Sequence, residues 1–154
     1  MKYTFFWNGI YSNFHTAKFT HKEHKFNNSE QAFMWEKAMF FGDTKIANEI
    51  LNQPSAWEAK ALGRKVKNYN DFKWSQVRFD FMFDVCLAKF TQNYKIQQRL
   101  LNDSNFVEAS PKDIIWGIGM GEHEYGVEDP VNWKGQNLLG KVLDKVKETI
   151  INQL

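Results

Sequence analysis

The sequence predicts an α+β fold, mostly helical with a small sheet, forming a single compact domain over residues 1–154. Three observations lead there. The chain has 154 residues and a mass of 18.2 kDa, which suits one domain. Hydrophobic residues make up 43% and charged residues 25%, so disorder is excluded, and a chain of this length buries roughly two-thirds of its unfolded surface without staples. Period-two alternation is confined to short stretches, whereas helix-type spacing with start and stop signals recurs along the rest.

Alternation around Tyr3 to Trp7 and again around Lys18 to Phe26 predicts short strands, with Asn8-Gly9 as a turn between them. Asn28 or Ser29 then caps a helix that runs through Glu30-Gln31-Ala32-Phe33-Met34-Trp35-Glu36-Lys37-Ala38-Met39, placing Glu30 in its first turn. Gly42 stops it. Asp43 caps a second helix to about Leu51, and Pro54-Ser55 opens a third that Gly63 closes. Asp71 is the expected cap of the longest helix, whose apolar stripe is Trp74, Val77, Phe81, Val85 and Ala88. Thr91 to Leu101 reads as another helix and Asn105 to Ala109 as a short strand. Ser110 to Asn132 is an irregular segment punctuated by Pro111, Gly117, Gly119, Gly121 and Gly126, and loops that long are usually functional. Leu138, Leu139, Val142, Leu143, Val146 and Ile150 define a terminal amphipathic helix.

The charge balance, 20 Lys plus Arg against 18 Asp plus Glu, gives a formal +2 and no broad basic face, so duplex DNA is not expected as the main partner. The single cysteine, Cys86, excludes an internal disulfide and a cysteine zinc site, as suits a reducing compartment. No apolar run approaches the ~20 residues that span a bilayer, and Met1 to Trp7 lack a signal peptide's cleavage region. The expectation is a soluble cytoplasmic protein that makes no use of a membrane. The outlier in composition is the aromatic fraction, 16%, with 14 Phe, 6 Trp and 5 Tyr; rings in excess of the core's needs suit a concave site for a flat ligand.

Several familiar sites can be set aside. Gly117-Ile118-Gly119-Met120-Gly121 lacks the Lys-Ser/Thr ending and preceding strand of a phosphate loop. His123, between Glu122 and Glu124, has no second spaced His to share a metal, and Cys86 lies in the long helix, where a free Cys packs as a small hydrophobe. Neither a metal nor a cofactor is expected. Carboxylates near rings are the stronger constellation. Glu30 sits at a helix start, Glu108 follows a strand, and Asp113 lies in the apolar stretch Ser110-Pro111-Lys112-Asp113-Ile114-Ile115-Trp116-Gly117. Apolar surroundings make a carboxylate pKa tunable. Each also has a plain structural reading: a helix-dipole charge for Glu30, a turn or cap for Asp113 and core burial for Trp74.

Seven short motifs then fall in a meaningful order: Tyr11-Ser12-Asn13-Phe14; Ser29-Glu30; Ala61-Leu62-Gly63-Arg64; Lys73-Trp74; Lys89-Phe90-Thr91-Gln92-Asn93; Val107-Glu108-Ala109-Ser110-Pro111-Lys112-Asp113 with Trp116-Gly117-Ile118-Gly119; and Gly135-Gln136-Asn137-Leu138-Leu139-Gly140. In this the chain resembles the NADAR family, also named after YbiA, over nearly its whole length. The resemblance implies a YbiA-like α+β fold over residues 1–154 and N-glycosidase activity. It also implies one of two substrates: an early phosphoribosylamino-pyrimidine intermediate of riboflavin synthesis, or ADP-ribose attached to guanine, including guanine in nucleic acid. The family's key Glu, Trp and Asp map onto Glu30, Trp74 and Asp113. Asn13, Arg64, Glu108, Trp116, Gly117 and Asn137 are carried over as substrate-binding candidates. Where the family usually continues its first motif with His, an aromatic and Gln, this chain has Gln31, Ala32, Phe33 and Met34, a change that bears on substrate identity more than on reaction type.

Breaking a ribose C1–N bond passes through an oxocarbenium-like state, so one carboxylate is needed to stabilise positive charge or activate water, and a second acid protonates the leaving base. Trp74 would stack on base or sugar. Arg64, with Lys65 and Lys67, either holds a phosphate or belongs to a solvated loop, and Asn13 either orients ribose hydroxyls or fixes a turn. Two other readings stand beside the enzyme. One is a non-catalytic module that binds ADP-ribose or a nucleotide; the other is an interaction protein using an exposed aromatic surface.

Overall fold

Six α-helices and four three-residue strands make up most of the regular structure in the computed structural model, which describes residues 1–53 and 55–154. In chain order these are β1 (Thr4–Phe6), β2 (Phe19–His21), β3 (His24–Phe26), α1 (Ser29–Phe40), α2 (Thr44–Leu51), α3 (Ala56–Gly63), α4 (Asp71–Thr91), α5 (Tyr94–Asn102), β4 (Phe106–Glu108) and α6 (Leu138–Asn152), with a 3₁₀ turn at Pro130–Asn132. The α+β class expected from the sequence is what is found. The residues group into two compact units, a central one of Asn13–Asn93 and a terminal one that joins Met1–Ser12 to Tyr94–Leu154.

In the central unit, α1 packs against α2, α3 and α4, and the β2–β3 hairpin lies against α4. Side-chain caps set the helix starts. Asn28 Oδ1 accepts the Gln31 N–H at 2.8 Å, and Asp43 Oδ1 accepts the Ile46 N–H at 3.1 Å. Pro54, the expected opening of α3, lies outside the described residues. The cap of α4 is Asn70, one residue before the expected Asp71: its backbone is extended and its Oδ1 accepts the Lys73 N–H at 2.9 Å. Both residue types suit a cap, and backbone geometry decides between them. The buried stripe of α4 also drifts from the expected one, since Val77, Phe81 and Ala88 are only half-buried while Met82, Cys86, Lys89 and Phe90 are buried. Because α4 continues through Thr91, the next helix, α5, starts at Tyr94 rather than Thr91.

Gly9 sits in the expected turn, with φ +83° and its carbonyl accepting the Ser12 N–H at 2.9 Å. Strand β1 pairs in parallel with β4, Thr4 opposite Phe106, and the second strand region is a hairpin in which β2 pairs with β3 through the two-residue turn Lys22-Glu23. Both turn residues have positive φ, 48° and 71°, the geometry that fits the twist of a tight hairpin although neither is Gly or Asn.

In the terminal unit α6 lies on β4. Gly140 makes that contact possible, since a Cβ there would stand 2.0 Å from the Phe106 carbonyl oxygen. The irregular segment after β4 has its own small core, in which Ile118, Met120 and Val127 pack with Val107 and Ala109 under Tyr3, Phe5 and Trp133. That burial lets a long segment without helix or strand hold one conformation. Among the described residues no helix is long and apolar enough to cross a membrane.

Candidate active site

The first turn of α1 is tied to the segment before the hairpin. The Glu30 N–H donates to the Asn13 carbonyl at 3.0 Å, the Ser29 hydroxyl donates to Asn13 Oδ1 at 2.8 Å, and Asn13 Nδ2 donates to Met82 Sδ at 3.5 Å. Asn13 therefore closes an orphan donor of the helix start and fixes the direction in which α1 leaves it. Glu30, 8% exposed, is held at the positive end of the helix, where a negative charge is favoured.

Seven residues on, two helical turns away on the same face, stands Lys37. Its ammonium lies over the Tyr69 ring, 4.6 Å from the centroid. Burial pushes this amine below its ordinary range, Glu30 pulls it back up, and Arg64 pushes it down again. Arg64 comes to bear because α3 ends against α1: a Cβ on Gly63 would lie 2.1 Å from Met34 Sδ, and Met34 sits between Glu30 and Lys37 on α1. The basic cluster read from the sequence is thereby divided. Arg64 acts on Lys37, while the Lys67 N–H donates to Asp43 Oδ2 at 2.9 Å.

Trp74 is 5% exposed, with Phe33 at 5.3 Å, Phe40 at 5.9 Å, Phe41 at 6.0 Å and a stacked Phe81 at 5.7 Å between ring centroids. These are the surroundings of a core residue on the seam between α1 and α4. Phe33 is one turn from Glu30, so Trp74 also steadies the helix face that carries the acid.

The terminal unit gathers Glu108, Asp113, Trp116, Gly117 and Asn137 in and after β4. Asp113, half-buried, organises the loop: its Oδ1 accepts the Ile115 N–H at 2.9 Å and the Trp116 N–H at 2.8 Å, and its carbonyl accepts the Gly119 N–H at 3.1 Å. Oδ2 is left outside that turn. Gly117 is a place of close approach, because a Cβ would meet the Glu108 carbonyl oxygen at 2.9 Å and the Asp113 carbonyl oxygen at 3.0 Å. Asn137 adopts the left-handed conformation at φ 54° and lies 7% exposed. Its Oδ1 accepts the Glu108 N–H at 2.9 Å while its Nδ2 donates to the Phe106 carbonyl at 3.0 Å. Both ends of this amide serve the free edge of β4, in the manner of a neighbouring strand.

Of the predicted site residues, the central unit thus brings together Asn13, Glu30 and Arg64, with Trp74 behind them, and the terminal unit brings together the other five. A separate cleft of about 440 Å³ in the terminal unit is lined by Thr4 to Tyr11 with Arg99, Asp103 and Glu122, and none of the predicted site residues lines it. Lys37 is the residue that sequence reasoning missed. Its spacing from Glu30 was available, but the approach of Arg64 depends on how α3 docks. Cys86 is fully buried and its thiol is pushed up to about 12 by burial, which excludes a thiolate at neutral pH. Among the described residues no group of three or more His, Cys, Asp or Glu side chains is placed to hold a metal ion.

The chain is similar to several known proteins. Protein irg-1 of Caenorhabditis elegans is 43% identical over 130 residues, covering 82% of this chain and 61% of that protein. N-glycosidase R617 of Acanthamoeba polyphaga mimivirus is 42% identical over 123 residues, covering 78% and 72%. The NMR structure of the E. coli protein YbiA superposes with a TM-score of 0.79 at 26% identity, covering 98% of this chain and 86% of YbiA. The chain spans about 61% of the length of irg-1. The NADAR domain model matches residues 3–151, and the chain belongs to the NADAR family.

Proposed function

We propose that this chain is an N-glycosidase that hydrolyses the bond between ribose C1 and a base nitrogen, with Glu30 and Asp113 as its working carboxylates. The observation that carries the reading is a buried Glu30 at the start of α1, in electrostatic contact with Lys37 on the same helix, in a chain related to a protein named as an N-glycosidase. As the C1–N bond breaks, its electron pair leaves with the base, which takes up a proton. Positive charge on C1 and the ring oxygen is met by a carboxylate, and water completes the product by bonding to C1 and releasing a proton. Glu30 and Asp113 share the charge-stabilising and proton-moving roles. Trp74 is a positioning residue that keeps α1 seated on α4, and Asn13 holds the helix start.

The substrate is a phosphoribosyl- or ADP-ribosyl-linked base: ADP-ribosylated guanine, free or in nucleic acid, or a phosphoribosylamino-pyrimidine of the riboflavin route. The expected setting is the cytoplasm. Incubating the purified protein with ADP-ribosylated guanosine, NAD and a phosphoribosylamino-pyrimidine, and following released base or ADP-ribose by mass spectrometry, tests this. Release from one of the three, insensitive to chelators, is expected. No release from any, together with tight binding of ADP-ribose, favours a binding module instead.

A further inference from the structure

The stacking role expected of Trp74 is left open by its burial, since that ring is 5% exposed and enclosed by phenylalanine rings. The central unit supplies another ring pair beside the acid. Phe14 follows Asn13, whose carbonyl accepts the Glu30 N–H at 3.0 Å and whose Oδ1 accepts the Ser29 hydroxyl at 2.8 Å, so Phe14 is tied to the start of α1. Its ring meets Trp57 of α3 at 4.8 Å between centroids, with the planes at 77°, and the Lys60 ammonium lies 5.7 Å from the centroid of the same ring. Trp57 and Lys60 are three residues apart and share a face of α3, so one helix face grips the Phe14 ring at two points. Trp57 is nevertheless 71% exposed. Covering Phe14 does not need an indole held mostly in water; this one is oriented by its edge-to-face contact and left open, a preformed surface that a flat ligand can complete.

We propose that Trp57, seated on Phe14, is the stacking platform for a nucleobase of the substrate. A base lying on the indole exchanges water on two flat surfaces for a ring contact, and such a contact tolerates more than one base because every base has a π-face. Lys60 holds the Phe14 ring through its cationic contact and leaves the indole to meet the ligand. The place of the platform beside Glu30 bears on catalysis only through the N-glycosidase reading; its affinity for a base does not depend on that reading.

The test is titration of the whole chain with adenosine, guanosine, ADP-ribose and ribose 5-phosphate, followed by calorimetry and tryptophan fluorescence, on wild type, W57A and W57F. The expected result is a loss of affinity on the order of tenfold or more in W57A for ligands that carry the recognised base, no change for ribose 5-phosphate, and affinity close to that of wild type in W57F. Binding should also quench the emission of an exposed indole in wild type, and that quench should be missing from W57F although the ligand still binds. A Trp57 that merely supported the fold would give no such signal. A loss for adenosine and ADP-ribose places adenine on the platform, a loss for guanosine places there the base carried on C1, and a loss for both shows a platform indifferent to the purine. Should W57A fold poorly, the missing quench in W57F carries the comparison. Wild-type affinity for every base-bearing ligand in W57A, an equal loss for ribose 5-phosphate, or no affinity of wild type for any base-bearing ligand overturns the proposal. Turnover measured on the same proteins separates the two readings: base binding that depends on Trp57 in a protein with no turnover sinks the glycosidase and leaves the platform, whereas turnover with KM and affinity indifferent to W57A does the reverse.

Discussion

In the segment between β4 and α6, the polar groups of the predicted site are engaged by backbone: Asp113 closes a turn, Asn137 pairs the edge of β4, and Gly117 admits two carbonyls at close range. At α1 the balance is reversed, since Glu30 and Arg64 both act on Lys37 through charge. The difference separates two kinds of contribution that a motif does not distinguish. Residues of the first region build a shape whose loss is read as stability; residues of the second hold charge whose loss, on the proposed function, is read as binding and turnover. A third case lies on α1 itself. Glu36, 3% exposed, lies between His21 at 2.9 Å and Lys22 at 2.7 Å, and it belongs to the scaffold.

The strongest way to break the comparison is to intrude on the terminal unit's backbone. Gly140→Ala places a methyl 2.0 Å from the Phe106 carbonyl oxygen and 2.4 Å from Asn137 Nδ2, with no flexible group on the strand side to yield. It should cost roughly 3 kcal/mol or more in chemical denaturation. Asn137→Ala leaves the Glu108 N–H and the Phe106 carbonyl without the side-chain partner and should cost about 2 kcal/mol. If Asn137→Ala lowered turnover without lowering the melting temperature, the loop would be working chemistry and not frame.

Smaller effects come from the paired acid on α1. Burial pushes the Glu36 carboxyl up, but hydrogen bonds from His21 and Lys22 outweigh it and hold the group below its ordinary range. A depressed carboxylate gives stability that is present above its unfolded pKa and lost as pH falls through the folded value. Glu36→Gln should therefore remove roughly 1–2 kcal/mol at pH 7 and flatten the acid limb of the stability–pH curve below about pH 4.5. Unchanged acid sensitivity in Glu36→Gln would put the carboxylate outside the scaffold.

A change read through pH is expected at Lys89, which is fully buried and whose ammonium burial lowers to about 8. The unfolded chain keeps that proton to about pH 10.4, so between these values the unfolded state binds more protons and stability rises with pH. The wild-type curve should gain on that of Lys89→Met through this window. Parallel curves would show that the amine does not titrate with folding.

Much of the helical frame was legible because capping is local. Asn28 and Asp43 each announce a helix within three residues of the bond they make. Pairing of β1 with β4 was not, because the partners are about a hundred residues apart in sequence and nothing local in a three-residue strand selects one neighbour over another. The Lys22-Glu23 turn was hidden because its positive φ values fall on residues that do not favour them. Within the candidate site, Glu30 was legible from its place at a helix start. The Lys37–Arg64 relation was not, since it exists only once Gly63 has docked on Met34.

The central claim is that Glu30 acts on charge that develops during the reaction. Once a substrate is in hand, the direct measurement is kcat and ligand affinity for Glu30→Gln beside wild type, with the melting temperature as a check on folding. If the carboxylate meets a transition-state cation, kcat falls by ~10²-fold or more while affinity stays close to that of wild type. Wild-type turnover in a folded Glu30→Gln protein would contradict it and leave Glu30 as a helix-end charge.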